Sequence, residues 1–147
     1  MSLEDGEDGE VRITLVETKG HKFVLKLDDS GHPYSDAARI LWSPDSMRFA
    51  FFGKDRKRDW TYLYIRKDSG FEEVELPDIP ECDHPGLTGY INSNLTPKSW
   101  VKPNTVMLIA HDEWTTEDDK AHECNRTVMI AIDSSRKASI QSIQQKK

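Results

Sequence analysis

The hydrophobic residues near the N-terminus alternate with polar residues, which is the pattern of half-buried β-strands. The segment VRITLVE (residues 11–17) places Val11, Ile13 and Leu15 on one face. After TKGH, the segment KFVLKLD (residues 22–28) alternates in the same way. Two such segments around a glycine-containing turn predict a β-hairpin over residues 11–28.

Two longer groups of apolar segments follow, separated by a proline-rich stretch. Residues 38–76 contain ARILW, SMRFAFFG, WTYLYIR and FEEVEL, and residues 98–143 contain KSWV, NTVMLIAH, RTVMIAID and ASIQSI. Polar turn sequences separate these segments, so each group predicts four strands. Residues 77–97 hold four prolines and two glycines, and we expect a loop there because proline cannot donate a backbone hydrogen bond. The acidic stretch at residues 115–123 is predicted to include a helical turn capped by Thr115 or Thr116.

The two groups form an internal repeat. Trp42 and Trp100 each end a short strand and precede a proline turn. Each group then has a strongly apolar strand, a polar connecting segment, a second apolar strand and a last, less hydrophobic strand in which apolar and polar residues alternate. Strands buried on both faces are continuously apolar, whereas an edge strand is half-exposed and alternates. The pattern therefore predicts that the last strand of each group lies at a sheet edge.

The first group resembles a TolB-type β-propeller repeat, the kind also found in the propeller domains of prolyl-oligopeptidase-like peptidases. The matching elements are Trp42-Ser43-Pro44-Asp45, the apolar strand Phe49 to Phe52, and Trp60 with Tyr62 and Tyr64. The family pattern usually has a glycine after the aspartate, where this chain has Ser46. The resemblance implies about two and a half blade-like units and carries little information about activity, because propellers support many functions.

A closed propeller needs about four blades or more, and 147 residues are too few for that number. We therefore predict an all-β, antiparallel fold with two blade-like four-stranded sheets and an N-terminal hairpin, not a closed propeller. Large bare apolar faces mark interfaces. The sheets are thus expected to pack as a sandwich-like monomer or to be covered in a homodimer.

Two short segments combine cysteine with histidine. Cys82 and His84 share one face of CDH, and His122 and Cys124 share one face of HEC, because alternate residues of an extended chain point the same way. Two cysteines and two histidines are a common zinc ligand set, although a C-x-H spacing is unusual for it. The alternatives are a Cys82–Cys124 disulfide, worth about 4 kcal/mol by loop entropy, and two free thiols.

Other polar residues give weaker indications. Five acidic residues could bind calcium through oxygen ligands, although they lack the spacing of a calcium loop; they are Asp112, Glu113, Glu117, Asp118 and Asp119. Tyr90, Asp112 and Trp114 are the candidate binding residues, with Tyr90 expected to pack the 77–97 loop down rather than recognise a ligand.

Ser43 and Asp45 resemble a nucleophile beside an acid. The sequence supplies no histidine placed to complete a triad and no G-x-S-x-G elbow. We interpret the WSPD segment as structural, with Trp42 packed between sheets, Pro44 fixing the turn and Asp45 accepting local backbone donors.

Charge and composition narrow the function classes. The net charge is −6, whereas a nucleic-acid-binding protein usually carries a basic face, and the basic cluster KDRKRDW (residues 54–60) is interrupted by aspartates, as expected of a polar hairpin tip. No apolar segment reaches the ~20 residues of a membrane span. Residues 1–10 are predicted to be a flexible acidic leader, which could replace an export signal, and residues 144–147 a frayed tail.

Three functions are consistent with these observations. The first is a non-catalytic binding or interaction module of an exported protein, in the periplasm or outside the cell, with a protein partner or a second copy as its target. The second is a metal-binding protein or metal-dependent enzyme that uses Cys82, His84, His122 and Cys124, with zinc or calcium as candidate ions. The third is a small inhibitor or scaffold that acts through the 77–97 loop.

Overall fold

The protein is described by a computed structural model of the whole chain. The structure describes residues 2–5, 11–16, 19, 23–28, 38–54, 59–68 and 70–145. Within these ranges the regular elements are strands, and no residue is helical. The strands are β1 (Ser2–Asp5), β2 (Val11–Val16), β3 (Phe23–Asp28), β4 (Arg39–Trp42), β5 (Arg48–Lys54), β6 (Asp59–Lys67), β7 (Gly70–Val74), β8 (Leu87–Lys102), β9 (Thr105–Thr116), β10 (Ala121–Ile132) and β11 (Ala138–Gln145).

These strands form three antiparallel sheets. The N-terminal sheet has the order β1-β2-β3, the middle sheet β4-β5-β6-β7 and the C-terminal sheet β11-β10-β9-β8. Each four-stranded sheet is a meander in which consecutive strands are neighbours. The prediction of two four-stranded sheets, an N-terminal hairpin and no closed propeller is confirmed, and β7 and β11 are edge strands as expected.

The N-terminal sheet contains one strand more than the predicted hairpin. Ser2–Asp5, which was expected to belong to a flexible leader, pairs with β2, with Leu3 opposite Ile13. The side chain of Leu15 on β2 is buried against the middle sheet. The rest of the leader, most of the basic cluster at residues 54–60 and the last two residues of the expected tail lie outside the described residues.

The middle sheet is buried on both faces, which explains why its inner strands are continuously apolar. Phe49, Phe51 and Tyr64 belong to an aromatic cluster with Leu15, and the rings of Phe49 and Tyr64 stack with centroids 4.8 Å apart. Ala50 and Leu63 point the other way and pack against the C-terminal sheet. Successive side chains on a strand alternate between the two faces, so an inner strand covered on both sides needs apolar residues at every position.

The C-terminal sheet packs on the middle sheet through one face of β8, β9 and β10. Val106, Leu108 and Val128 on this face are fully buried. Two side chains also hydrogen-bond between the sheets. The indole Nε1 of Trp100 donates to the carbonyl oxygen of Leu41 at 3.0 Å, and the hydroxyl of Thr61 donates to the carbonyl oxygen of Leu95 at 2.5 Å.

Two expected elements differ in the structure. The predicted 77–97 loop is shorter, because β8 begins at Leu87 and pairs with β9 through four register shifts that accommodate Gly89 and Pro97. The predicted helical turn near residue 115 is absent from the described residues. β9 and β10 are instead joined by a tight turn, in which the Asp119 N–H donates to the carbonyl oxygen of Thr116 and Asp119 has a φ of 56°. Cross-strand pairing over the whole hairpin outweighs the local helical preference.

The WSPD turn is held by its own side chains. The Ser43 hydroxyl is buried, lies 2.6 Å from Asp45 Oδ1 and accepts the Arg48 N–H at 3.0 Å. Asp45 also accepts the Met47 N–H at 3.1 Å, as predicted. The hydrogen bond from Ser43, together with Arg48 nearby, lowers the pKa of Asp45 below its ordinary value. Ser43 and Asp45 therefore have structural roles in this turn.

The two repeat tryptophans have different environments. Trp42 packs against Phe49 and Phe71 at centroid distances of 4.9 and 5.7 Å but is 42% exposed, so it is less enclosed than predicted. Trp100, at the corresponding place in the second repeat, is 9% exposed because it lies between the middle and C-terminal sheets. A strand at the interface of two sheets buries its aromatic residue more completely.

Candidate functional site

Residues 75–86 connect β7 to β8 without regular structure, and we call them the β7–β8 connection. Cys82 in this connection forms a disulfide with Cys124 of β10, with a Cα–Cα distance of 6.5 Å. This distance lies within the normal range for a disulfide. Of the three alternatives left open for the cysteines, the structure has the bridge, and it holds no free cysteine.

A buried ion pair lies beside the disulfide. Asp112 on β9 is 1% exposed and Arg126 on β10 is 7% exposed. Arg126 Nη2 donates to Asp112 Oδ2 at 2.7 Å, and the Ser93 hydroxyl of β8 donates to Asp112 Oδ1 at 2.6 Å. The three residues come from neighbouring strands, with Ser93 directly opposite Asp112 in the register. A charged pair can be buried when further hydrogen bonds satisfy its remaining atoms. Both oxygens of Asp112 and both Nη atoms of Arg126 have hydrogen bonds, whereas the buried Nε of Arg126 has none.

The same ion pair holds the β7–β8 connection. The backbone N–H of Cys82 donates to Asp112 Oδ2 at 3.2 Å, and Arg126 Nη1 donates to the carbonyl oxygen of Pro80. His84 Nε2 lies 3.8 Å from Asp112 Oδ2. The connection is thus fixed at alternate residues by the disulfide, two charge-assisted hydrogen bonds and a histidine contact.

The residues between these anchors point away from the protein. Glu81 and Asp83 are exposed, whereas Cys82 and His84 are partly buried; the ring of Pro80 is exposed, and this residue is held through its carbonyl oxygen. This alternation is that of an extended segment lying on the sheet, with one face anchored and the other in solvent. The arrangement can present the exposed side chains in a fixed geometry.

The ring of Trp114 contacts both of the histidines that the sequence singled out. Its ring centroid is 4.8 Å from that of His84 and 5.6 Å from that of His122, and the His122 ring stacks on it at an interplanar angle of 20°. Trp114 is 5% exposed, so it is covered rather than available for binding. On the other side of His122, Nε2 lies 3.2 Å from the Thr116 hydroxyl.

The predicted metal residues are close together, but they do not form a ligand set in this state. The sulfur atoms of Cys82 and Cys124 are bonded to each other, whereas zinc binds thiolates. His84 and His122 each contact the Trp114 ring. The described residues contain no group of three or more His, Cys, Asp or Glu side chains arranged to hold a metal ion.

Two of the predicted calcium ligands, Asp112 and Asp118, already bind other residues of the protein. Asp112 is engaged by Arg126. Asp118 accepts hydrogen bonds from Lys120 and Thr116, and these bonds lower its pKa. Tyr90 pairs through its backbone with Trp114 on β9, while its side chain lies outside the described part of the chain.

Arg126 and Ser93 are the residues that sequence reasoning missed. A weak signal for Arg126 exists, because it interrupts a β10 face that is otherwise apolar, between Cys124 and Val128. An arginine at an inward position requires an anion, and Asp112 occupies an equivalent inward position on β9. Their pairing could be proposed only once the register of the two strands was known.

Comparison of the chain with protein-family models, with curated proteins and with solved structures found no match. Among the described residues, no helix is long and apolar enough to cross a membrane.

Proposed function

We propose that this chain is a non-catalytic interaction module that presents the β7–β8 connection to a protein partner. The observation that carries the proposal is the anchoring of this connection at Pro80, Cys82 and His84 while Glu81 and Asp83 remain exposed. A segment held in one conformation before binding loses less conformational entropy on association. The charges on the exposed side favour a partner with a basic surface.

The roles of the reactive side chains support a binding function over catalysis. Ser43 and Asp45 hold a turn, Asp112 is paired with Arg126, and Cys82 is bonded to Cys124. Each of these side chains is therefore bonded or hydrogen-bonded to another residue of the fold. The disulfide also supports an oxidising location, the periplasm or the extracellular space, because such bonds persist there. The TolB-type assignment of the first repeat is part of this proposal, and the order of the sheets along the chain supports it.

The test is a comparison of captured partners between matched variants. Glu81→Lys with Asp83→Lys reverses the exposed charges of the connection, and Glu73→Lys with Glu117→Lys reverses the same number of exposed charges elsewhere. The immobilised wild type and both variants are exposed to the extracytoplasmic fraction of the source cells, and bound proteins are quantified by mass spectrometry. We expect one partner to bind the wild type and the control variant, and to bind the connection variant at least about tenfold more weakly.

A variant that keeps the charges but loses the bridge separates preorganisation from charge alone. In Cys82→Ala with Cys124→Ala, the connection keeps Glu81 and Asp83 but is less restrained. We expect the same partner to bind this variant more weakly, because ordering the connection then opposes binding. Equal binding to all variants, or a partner that responds only to the control, would refute the proposal.

A further inference from the structure

Among the described strands, six lie at the edges of the three sheets, where backbone N–H and C=O groups are open to pairing with another chain. Proteins discourage such pairing with charged side chains, proline or very short edge strands. Five of the six edge strands carry charged residues, and these are Glu4 and Asp5 in β1, Lys26 and Asp28 in β3, Arg39 in β4, Glu72 and Glu73 in β7, and Lys98 and Lys102 in β8. The sixth is β11, whose sequence ASIQSIQQ has neither charge nor proline.

The edge of β11 is also accessible. Five of its eight side chains are exposed, namely Ser139, Gln141, Ile143, Gln144 and Gln145. Within the described ranges, β10 is its only neighbour in the sheet. The corresponding edge strand of the middle sheet, β7, is five residues long and lies against β3 of the N-terminal sheet. β11 is therefore the longer, the uncharged and the more accessible of the two edges that end the repeats.

The turn between β10 and β11 shows which backbone groups of β11 face the free edge. The Asp133 N–H donates to the carbonyl oxygen of Lys137 at 3.1 Å, so these two residues form a hydrogen-bonded pair. Hydrogen-bonded and non-hydrogen-bonded pairs alternate along antiparallel strands, so the next pair, Ile132 with Ala138, is not hydrogen-bonded. In agreement, the Ile132 N–H donates to the carbonyl oxygen of Asn104 at 2.9 Å, on the side of β9. The N–H and C=O groups of Ala138 therefore point away from β10, toward the free edge.

The same alternation continues for two more residues. Ser139 forms the next hydrogen-bonded pair with β10, and the N–H and C=O groups of Ile140 again point to the free edge. After Ile140 the register shifts and leaves Gln141 without an opposite residue, and a bulge of this kind bends the strand. The regular part of the free edge is thus Ala138–Ile140, which offers two N–H and two C=O groups to an extended segment.

A depression adjoins this part of the edge. It has a volume of about 500 Å³ and lies between residues 75–78, which begin the β7–β8 connection, and residues 135–138. Leu76, Pro77 and Ala138 supply its apolar walls. Cross-strand neighbours share a face of the sheet, so a residue placed beside Ala138 in an added strand has its side chain on the same face as Ala138. In recognition by strand addition, backbone hydrogen bonds provide affinity and such side-chain pockets provide specificity.

We infer that the edge at Ala138–Ile140 binds an extended segment of a partner protein by strand addition, with one apolar side chain of the segment in the depression. The open backbone groups specify the extended conformation, and the absence of charge on β11 favours an uncharged segment, because β11 offers no partner for a charge. A second copy would bring its own bulge at Gln141 to this edge, whereas a free segment can follow it. The surface is separate from Glu81 and Asp83, so the inference goes beyond the proposed function.

Peptide selection followed by two matched variants tests the inference. Random peptides of about twelve residues, displayed on phage, are selected on the immobilised, oxidised full chain, and we expect uncharged sequences rich in β-branched residues. Synthetic peptides of these sequences should bind the wild type and Ile140→Ala similarly, and should bind Ile140→Pro at least about tenfold more weakly. Proline removes the N–H at the edge and places its ring there, without removing a hydrogen bond to β10. Ile140→Ala is the control, because it shortens the same side chain and keeps the N–H.

A second measurement uses the wild type alone and decides the matter if Ile140→Pro does not fold. Amide hydrogen exchange followed by NMR should show fast exchange at Ala138 and Ile140 and slow exchange at Ser139 in the free protein. A selected peptide should slow the exchange of Ala138 and Ile140.

Three results would overturn the inference. They are the absence of any enriched peptide, binding that is equal in a folded Ile140→Pro, and exchange at Ala138 and Ile140 that the peptide does not change. Protection of these amides that grows with protein concentration in the absence of peptide would also overturn it, because a second copy would then occupy the edge. Glu81→Lys with Asp83→Lys should bind the peptides like the wild type, so failure here leaves the proposed function of the connection intact.

Discussion

The disulfide between Cys82 and Cys124 should contribute a large part of the stability of this protein. Replacing both residues, as Cys82→Ala with Cys124→Ala, removes a cross-link between residues 42 positions apart. By the loop-entropy relation, such a cross-link is worth about 4 kcal/mol at 25 °C. Small domains have total stabilities of about 5–15 kcal/mol, so the loss is a substantial fraction of the whole.

The folded state should survive this change, because the connection keeps its other anchors. The Cys82 backbone N–H still donates to Asp112, and Arg126 still binds the carbonyl oxygen of Pro80. Most of the effect should thus lie in the unfolded chain, which becomes more expanded without the bridge. The dependence of unfolding free energy on denaturant should steepen for the same reason, since more surface becomes exposed.

The assay is guanidinium unfolding at neutral pH of the oxidised wild type, the reduced wild type and the double-alanine variant. We expect the oxidised protein to be more stable by about 3–4 kcal/mol, and the other two to resemble each other. The variant serves as the control for the reductant, because its stability should not change when a reducing agent is added. A difference below about 1 kcal/mol between oxidised and reduced wild type would refute the loop-entropy argument, and an intact mass that does not change on reduction would refute the bridge.

Three further predictions concern the buried ion pair and the WSPD turn. Asp112→Asn should lower the unfolding free energy by about 3–5 kcal/mol, because it leaves the Arg126 guanidinium buried without its anion. The double variant Asp112→Leu with Arg126→Met should lower the unfolding free energy by less, because it removes both charges. Denaturant unfolding measures both losses. Ser46→Gly should raise the unfolding free energy by about 0.5–1 kcal/mol, because Ser46 has a φ of 56°, which glycine adopts without strain. The control is Ser134→Gly, at a turn position without positive φ, which should not raise stability. Thermal unfolding compares the two variants. The pKa of Asp45 is lowered in the folded state, so its stabilising contribution is present above its unfolded pKa and is lost as the pH falls through the folded value; Asp45→Asn should therefore flatten the decline in melting temperature between pH 5 and about pH 2.

Hydrophobic periodicity was sufficient to predict the architecture, because most strands have one or two buried faces. The continuous apolar runs of β5 and β6 correspond to burial on both faces, whereas β9 and β10 are fully buried on their inward face and partly buried on the other. The part of β8 before Lys98 was not predicted, since it contains Gly89, Asn92 and Pro97 and has no alternating apolar pattern. Its extended conformation is imposed by pairing with β9, and pairing between strands is a tertiary effect that single residues do not encode.

The four Cys and His residues of the candidate site were predicted to lie close together, and the disulfide that the structure shows was one of three alternatives left open for the cysteines. The spacing of Cys82 with His84, and of His122 with Cys124, correctly indicated residues that share a face. It could not distinguish a disulfide from a metal site, because both require the same residues to lie close together. The distinction follows from Asp112 and Arg126, which fix the connection at a position where the two cysteines are within bonding distance.

The anchors beneath the connection are more numerous than attachment alone requires. A disulfide fixes the separation of Cys82 and Cys124 but allows the neighbouring backbone to rotate, whereas the hydrogen bonds from Cys82 and to Pro80 fix the direction of the chain on either side. A buried ion pair adds little net stability over an apolar pair of the same size, so its value here is in specifying one conformation. The combination of a cross-link for stability and a polar pair for orientation is expected where the exposed side of a segment, here Glu81 and Asp83, must be presented in a single geometry.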